Sequence, residues 1–160
     1  MKKHLFLLLT LCAVSLCASA TTYYVKPNGS NSKDGKSWAN AKQTISNALG
    51  VATAGDEVLV AQGTYNVQLS LADGVAIKGG YNAETGERNI DEYKTIIDGS
   101  GIVPTSYLIV RYLSTGESYP TNPILIEGLV IQNANSSAWG SGTMFLRGNM
   151  TVNRCTFRNC

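Results

Sequence analysis

Histidine is almost absent from this chain. The 160 residues include one, His4, beside Lys2 and Lys3 at the start. An apolar run from Leu5 to Leu11 follows and continues to Ala18-Ser19-Ala20. A basic start, a short apolar stretch and a small-x-small site read as a secretory signal peptide over residues 1–20, cut after Ala20. Cys12 and Cys17 both follow leucine, so lipoprotein processing, which needs a small residue there, is not expected. Once His4 leaves with the leader, imidazole general-base chemistry, the Ser-His-Asp triad and most zinc sites are excluded for the remainder.

Net charge is also lacking. The 13 Lys and Arg lose Lys2 and Lys3 with the leader, leaving 11 against 11 Asp and Glu. No basic footprint for nucleic acid remains. No apolar run after the leader is long enough for a membrane span. Cysteine falls from four to two, Cys155 and Cys160. An oxidising compartment permits a disulfide between them. Their alignment with Leu129 and Ala134 favours small buried residues instead.

What the chain does have is a pattern written twice. Ile124-Leu125-Ile126-Glu127-Gly128-Leu129-Val130-Ile131-Gln132-Asn133-Ala134 lies over Met150-Thr151-Val152-Asn153-Arg154-Cys155-Thr156-Phe157-Arg158-Asn159-Cys160, an offset of 26 residues. Apolar residues alternate at period two, break for a bend and resume, which describes two strands each with one buried face. Repeats of roughly 20–50 residues mark solenoids, in which each unit buries its apolar face against the next. The expected fold is therefore all-β, a right-handed parallel β-helix. In it Ile124 stacks on Met150, Leu129 on Cys155 and Asn133 on Asn159. A stacked asparagine can bond its own turn and its neighbour.

The remaining segments fit that expectation. Thr21 to Lys26 reads as a first strand and Pro27 to Lys36 as a loop. Ser37 or Asn40 can cap a helix in which Trp38, Ala41, Ile45, Ala48, Leu49 and Ala52 recur at three and four. An amphipathic helix over 38–54 would cover the open first coil. The expected domains are the signal peptide 1–20, an N-terminal strand and cap helix 21–56, and coils over 57–160. Gln68–Leu71 and Val75–Lys78 repeat the strand-bend-strand layout, and Gly79 to Tyr93 reads as a polar excursion. The chain stops one residue past Asn159 with no polar cap, so it reads as the front of a longer protein. Its open end would pair with further coils or with another chain.

Gly55-Asp56-Glu57-Val58-Leu59-Val60-Ala61-Gln62-Gly63-Thr64-Tyr65 resembles the opening coil of bacterial right-handed β-helix surface proteins. Gly79-Gly80-Tyr81 with Glu84 and Arg88, Thr95-Ile96-Ile97-Asp98-Gly99, Glu127-Gly128-Leu129-Val130-Ile131 and Cys155-Thr156-Phe157-Arg158-Asn159 extend the likeness. It is similar to chlamydial polymorphic outer-membrane protein repeats and related Bacteroides-type exported proteins. That family's usual Gly-Gly-Ala-Ile strand stands here as Gly142-Thr143-Met144-Phe145. The resemblance implies export to the extracellular space or the outer-membrane surface of a Gram-negative bacterium. It leaves activity open, because the wider class includes lyases, glycosidases, adhesins and passengers.

Candidate chemistry is sparse. Lyases of the resembled class hold calcium on clustered carboxylates and use a basic residue to take a proton. The acidic candidates here are Asp98 and Glu127, and the basic ones Arg111 and Arg147. Asp98 and Glu127 precede Gly99 and Gly128 and read first as turn residues. No catalytic residue, metal or cofactor is expected within this segment. Glu84 and Arg88, four apart, read as a local ion pair. Asn28, Asn135 and Asn149 begin N-x-S/T triplets, a pattern with little meaning in a bacterial export. Tyr119 and Trp139 stand in Gly/Ser/Asn-rich loops where an exposed ring stacks on sugar faces. The expected function is a structural or adhesive exported protein that binds a polysaccharide or host-surface glycan. The alternatives are the N-terminal part of a polysaccharide lyase or glycosidase, and a spacer carrying another domain.

Overall fold

The computed structural model describes residues 19–102, 108–110, 122–134, 143–145 and 148–160. Twelve strands and one helix are found there. They are β1 (Thr22–Val25), α1 (Ile45–Leu49), β2 (Glu57–Ala61), β3 (Gly63–Tyr65), β4 (Leu69–Ser70), β5 (Ala76–Tyr81), β6 (Thr95–Asp98), β7 (Ile109–Val110), β8 (Ile124–Glu127), β9 (Leu129–Gln132), β10 (Met144–Phe145), β11 (Met150–Asn153) and β12 (Thr156–Arg158). All paired strands are parallel. They form a five-stranded sheet β1-β2-β5-β8-β11, a four-stranded sheet β12-β9-β6-β3 and a three-stranded sheet β10-β7-β4.

Alternation in the sequence becomes two-faced strands. On one face of the five-stranded sheet, Val58, Ile77 and Ile126 align across neighbouring strands. All three are almost fully buried. Ile97, Leu129 and Ile131 of the four-stranded sheet, Leu69 and Ile109 of the three-stranded sheet, and Ile45, Ala48 and Leu49 of α1 complete one apolar cluster. Each such valine, leucine or isoleucine contributes roughly 1.5–3 kcal/mol on burial.

The expected right-handed parallel β-helix is corrected. The strands stand in separate parallel sheets beside one short helix, and no closed solenoid is detected among the described residues. Periodicity specifies which residues of two strands face each other; it does not specify how sheets close. The spacing is also uneven. Thr22 meets Glu57, Glu57 meets Ala76, Ala76 meets Leu125 and Ile124 meets Met150. The 26-residue offset therefore belongs to the last of these pairings alone. Nor do Gln68–Leu71 and Val75–Lys78 repeat the β8–β9 layout. β4 pairs with β7 in the three-stranded sheet, while β5 pairs with β8.

The expected helix over 38–54 shrinks to the five residues of α1. Thr44 caps it, extended at φ −121°, and its side chain accepts from Asn47 N. Upstream, Lys42 bridges Val25 in parallel. Lys42 N donates to Tyr24 O and Lys26 N to Lys42 O. Asn31 Oδ1 accepts from Gln43 N, Thr44 N and Thr44 Oγ1. Ala41 O accepts from Ser30 N, and Ala41 N donates to Trp38 O in a turn, so neither Trp38 nor Ala41 joins the helical ladder of α1.

β5 runs straight through Gly79 and Gly80, part of the expected polar excursion. A Cβ on Gly80 would meet Ile90 Cγ2 at 2.6 Å, and one on Gly128 would meet it at 2.7 Å. The glycines seat Ile90. Gly128 also sits at φ +70°, a left-handed conformation that costs side-chain-bearing residues about 1–2 kcal/mol. Gly101, at φ +79°, has nothing within 4 Å of such a Cβ. Gly128→Ala is therefore expected to lower unfolding free energy by about 2–4 kcal/mol and Gly101→Ala by about 1 kcal/mol, as urea titration would measure. Equal losses would refute the steric seat.

Candidate functional site

Opposite the buried row, the five-stranded sheet presents Tyr24, Leu59, Lys78, Glu127 and Asn153 in register, with Thr22 and Glu57 beside them. Leu59 is buried although it lies outside the apolar cluster, so this outer face is covered in part. Trp38 lies over it. Its ring meets Tyr24 edge-on at 4.8 Å and Tyr81 at 5.8 Å, tilted by 46°. All three rings are half-buried.

Charged groups continue the row. The Arg88 guanidinium sits 5.4 Å from the centre of the Tyr81 ring, and its Nε donates to Gly79 O at 3.0 Å. Its Nη2 lies 3.1 Å from Glu127 Oε2, within ion-pair distance but off hydrogen-bond alignment. Asn153 Nδ2 donates to Glu127 Oε1 at 3.0 Å. Lys78 Nζ donates to Glu57 Oε2 at 2.7 Å, and Thr22 Oγ1 to Glu57 Oε1 at 2.9 Å. Burial pushes the Glu57 carboxyl up, but the bonds from Lys78 and Thr22 outweigh it and hold the group below its usual range. Burial raises the Tyr81 phenol, with the nearby Arg88 charge opposing. The face carries two cations and two carboxylates, all partly exposed, so it is polar and charge-balanced. Such pairs contribute about 0–1 kcal/mol each.

Arg88 thus engages Glu127 across the sheet. The local pairing with Glu84 read from the sequence is not formed, because Tyr81 and Gly79 hold the guanidinium on the sheet side. Helical spacing places Trp38 at the start of the expected 38–54 helix, and the structure places it in a turn instead. The signal that sets it apart is its place in Ser37-Trp38-Ala39-Asn40, a turn in which Asn40 N donates to Ser37 Oγ.

The acidic candidates do not converge. Glu127 belongs to the outer face just described. Asp98, nearly buried, accepts from Ser100 N at 2.8 Å, Gln132 Nε2 at 2.8 Å and Asn133 Nδ2 at 3.1 and 3.2 Å. The bond from Gln132, then those from Ser100, hold its carboxyl far below the usual range. Asn133 and Asn159 both take positive φ, and Asn159 Nδ2 donates to Asn133 Oδ1 at 3.3 Å. Leu129 is buried in the core, and Cys155 Sγ, half-buried, points to Ile126 O and Asn153 O. Both thiols are free, and Cys160 is exposed, unlike the buried small residue expected there. Its thiol reaches only the Arg158 and Ile131 carbonyls. Among the described residues, no three His, Cys, Asp or Glu side chains come together at metal-binding distance. Tyr119, Trp139, Arg111 and Arg147 lie outside the described residues.

A cavity of about 230 Å³ opens beside α1, lined by Thr44, Ile45, Ser46, Tyr65, Asn66 and Val67. Its one titratable group is the Tyr65 phenol, which burial raises and which donates to Ala61 O. That lining offers no acid, base or nucleophile near neutral pH. No protein-family model, no curated protein and no solved structure matches the chain.

Asp98 carries a pH prediction. A carboxyl held low in the fold stabilises it fully above the unfolded pKa, about 3.9, and the contribution is lost as pH falls toward the folded value. The wild-type protein should lose stability steeply below about pH 4, whereas Asp98→Asn should start less stable and show a flatter acid limb. Thermal melts between pH 2 and pH 6 measure this; parallel acid limbs would refute it.

Proposed function

We propose that the chain is an exported structural or adhesive protein that binds glycan on the outer face of its five-stranded sheet. The observation that carries this reading is the run Tyr24–Trp38–Tyr81–Arg88, three half-buried rings and a guanidinium fixed on a rigid sheet. Aromatic faces pack on the C–H faces of sugars, while Lys78, Glu57 and Glu127 alongside can exchange hydrogen bonds with hydroxyls. The leader of residues 1–20 supports export, to the extracellular space or the outer surface of a Gram-negative cell. No helix among the described residues is long and apolar enough to cross a membrane. Tyr119 and Trp139 remain proposed accessory stacking residues.

Retention of the protein on immobilised polysaccharides tests the reading. Trp38→Ala should weaken retention about tenfold and Trp38→Phe by less, with Tyr119→Ala and Trp139→Ala scored separately. Trp38→Ala binding as tightly as wild type would remove the site from this face. Failure to bind any of a broad set of polysaccharides would remove the function.

A further inference from the structure

Among the described residues, Asp56 is a buried carboxylate outside every ion pair. It is 6% exposed. Its Oδ2 accepts from Thr53 N at 2.8 Å and Thr53 Oγ1 at 3.0 Å, and its Oδ1 accepts from Thr21 N at 2.7 Å. None of the ion pairs found among the described residues involves it. The bonds from Thr53 and Thr21 outweigh burial and hold its carboxyl below the usual range, as neutral donors do at Asp98, and a charged donor would strengthen that hold.

The shortest of these bonds comes from Thr21, the first residue after the Ala18-Ser19-Ala20 cleavage motif. We propose that Asp56 is the built-in partner of the α-ammonium group released when the leader is cut between Ala20 and Thr21. The inference rests on the export reading above. In the cut, water adds across the peptide bond. The Ala20 carbonyl carbon takes the oxygen and becomes a carboxylate, and the Thr21 nitrogen gains the protons and becomes an ammonium. One N–H keeps its bond to Asp56 Oδ1, and the donor now carries a full positive charge. A charge-assisted bond is roughly twice as strong as a neutral one.

The setting holds this terminus in place. Glu57 N donates to Thr21 O at 3.0 Å, and Thr22 begins β1. Ser19 and Ala20 are exposed and leave toward solvent. The uncut chain fits the same seat with an uncharged amide, so removal of the leader changes charge rather than shape. Processing thereby tightens β1 against β2, and the exported form is the more stable one.

Nα-acetylation tests this cleanly, because the acetyl group occupies the place of the Ala20 carbonyl and removes only the charge. The protein recovered after export is first sequenced from its N-terminus. It is then acetylated in denaturant under mildly acidic conditions that spare lysine, refolded and melted beside the untreated protein, as wild type and as Asp56→Asn. The expected results are an N-terminus at Thr21, a Tm lowered by about 3–6 °C in wild type and no change on acetylation of Asp56→Asn. A different N-terminus would overturn the processing step and the proposal with it. A Thr21 N-terminus with no loss in wild type, or with equal loss in both backgrounds, would overturn the ion pair while leaving export standing. Should Asp56→Asn not fold, the rate of acetylation decides. The folded α-amine should react at least about tenfold more slowly than the unfolded one, since pairing holds it protonated. Equal rates overturn the pair.

Discussion

Parallel pairing between segments far apart in the chain is the constraint on which everything else depends. A parallel neighbour cannot be reached by a two-residue turn, so every ladder in the three sheets joins strands separated by intervening chain. β1 satisfies its backbone on β2, and β5 on both β2 and β8. No strand of the five-stranded sheet has its hydrogen bonds completed by its nearest neighbour in sequence, apart from β1 with β2. Removing any middle strand orphans the ladders on both of its sides. The apolar row Val58, Ile77, Ile126 is the side-chain counterpart of that dependence, because each member is buried by contributions from the others.

Polar side chains follow the same geometry. Strands about 4.8 Å apart bring side chains at matched positions within hydrogen-bonding reach, so registered rows become either ladders or repulsions. Here the charges alternate: Lys78 and Glu127 are matched on β5 and β8, Lys78 reaches Glu57 of β2 two residues off register, and Thr22 and Asn153 are the neutral ends. Asp98, Asn133 and Asn159 build a second ladder where the four-stranded sheet turns away. Asparagine suits that turn, because it tolerates positive φ and still offers an amide to the next residue in the row. The first ladder lies on the partly exposed outer face. The second is spent on the fold, with the Asp98 acceptors occupied by protein donors.

Local strand identity was legible in the residues, and global closure was not. Alternation at Ile124–Ile131 and Met150–Phe157 identifies strands because period two is a direct consequence of strand geometry. Matched residues at a fixed offset then set register, and Met150 lies opposite Ile124. The same evidence led to a closed solenoid that the separate sheets contradict, since an offset seen once does not make a uniform repeat. The helix was misjudged for a related reason. Trp38 and Ala41 fall at helical spacing from Ile45, but spacing is silent about competing backbone partners: Ser30, β1 and Asn31 engage the backbone of residues 41–44 first. Gly79-Gly80 read as loop because glycine is weak in strands, whereas here its missing Cβ admits Ile90. The outer-face site was illegible for want of locality: Tyr24, Trp38, Tyr81, Arg88 and Glu127 come from five separate stretches of chain.

Non-local pairing also bears on how the proposed leader and this fold would coexist. Strands that wait for distant partners form slowly, because loop closure must precede the contacts that reward it. β1 pairs with β2 and with the single bridge at Lys42. Until those later segments are in place, Thr21 has neither the Asp56 carboxylate nor the Glu57 amide to hold it. Under the proposed export, the junction at Ala20 would at that stage be extended and open, the state a processing enzyme requires. Under the proposed export, closing β1 onto β2 ends that access and presents a buried carboxylate to the residue that the cut would charge. On that proposal cleavage precedes closure, and the gain in charge pairing falls on chains that have been cut.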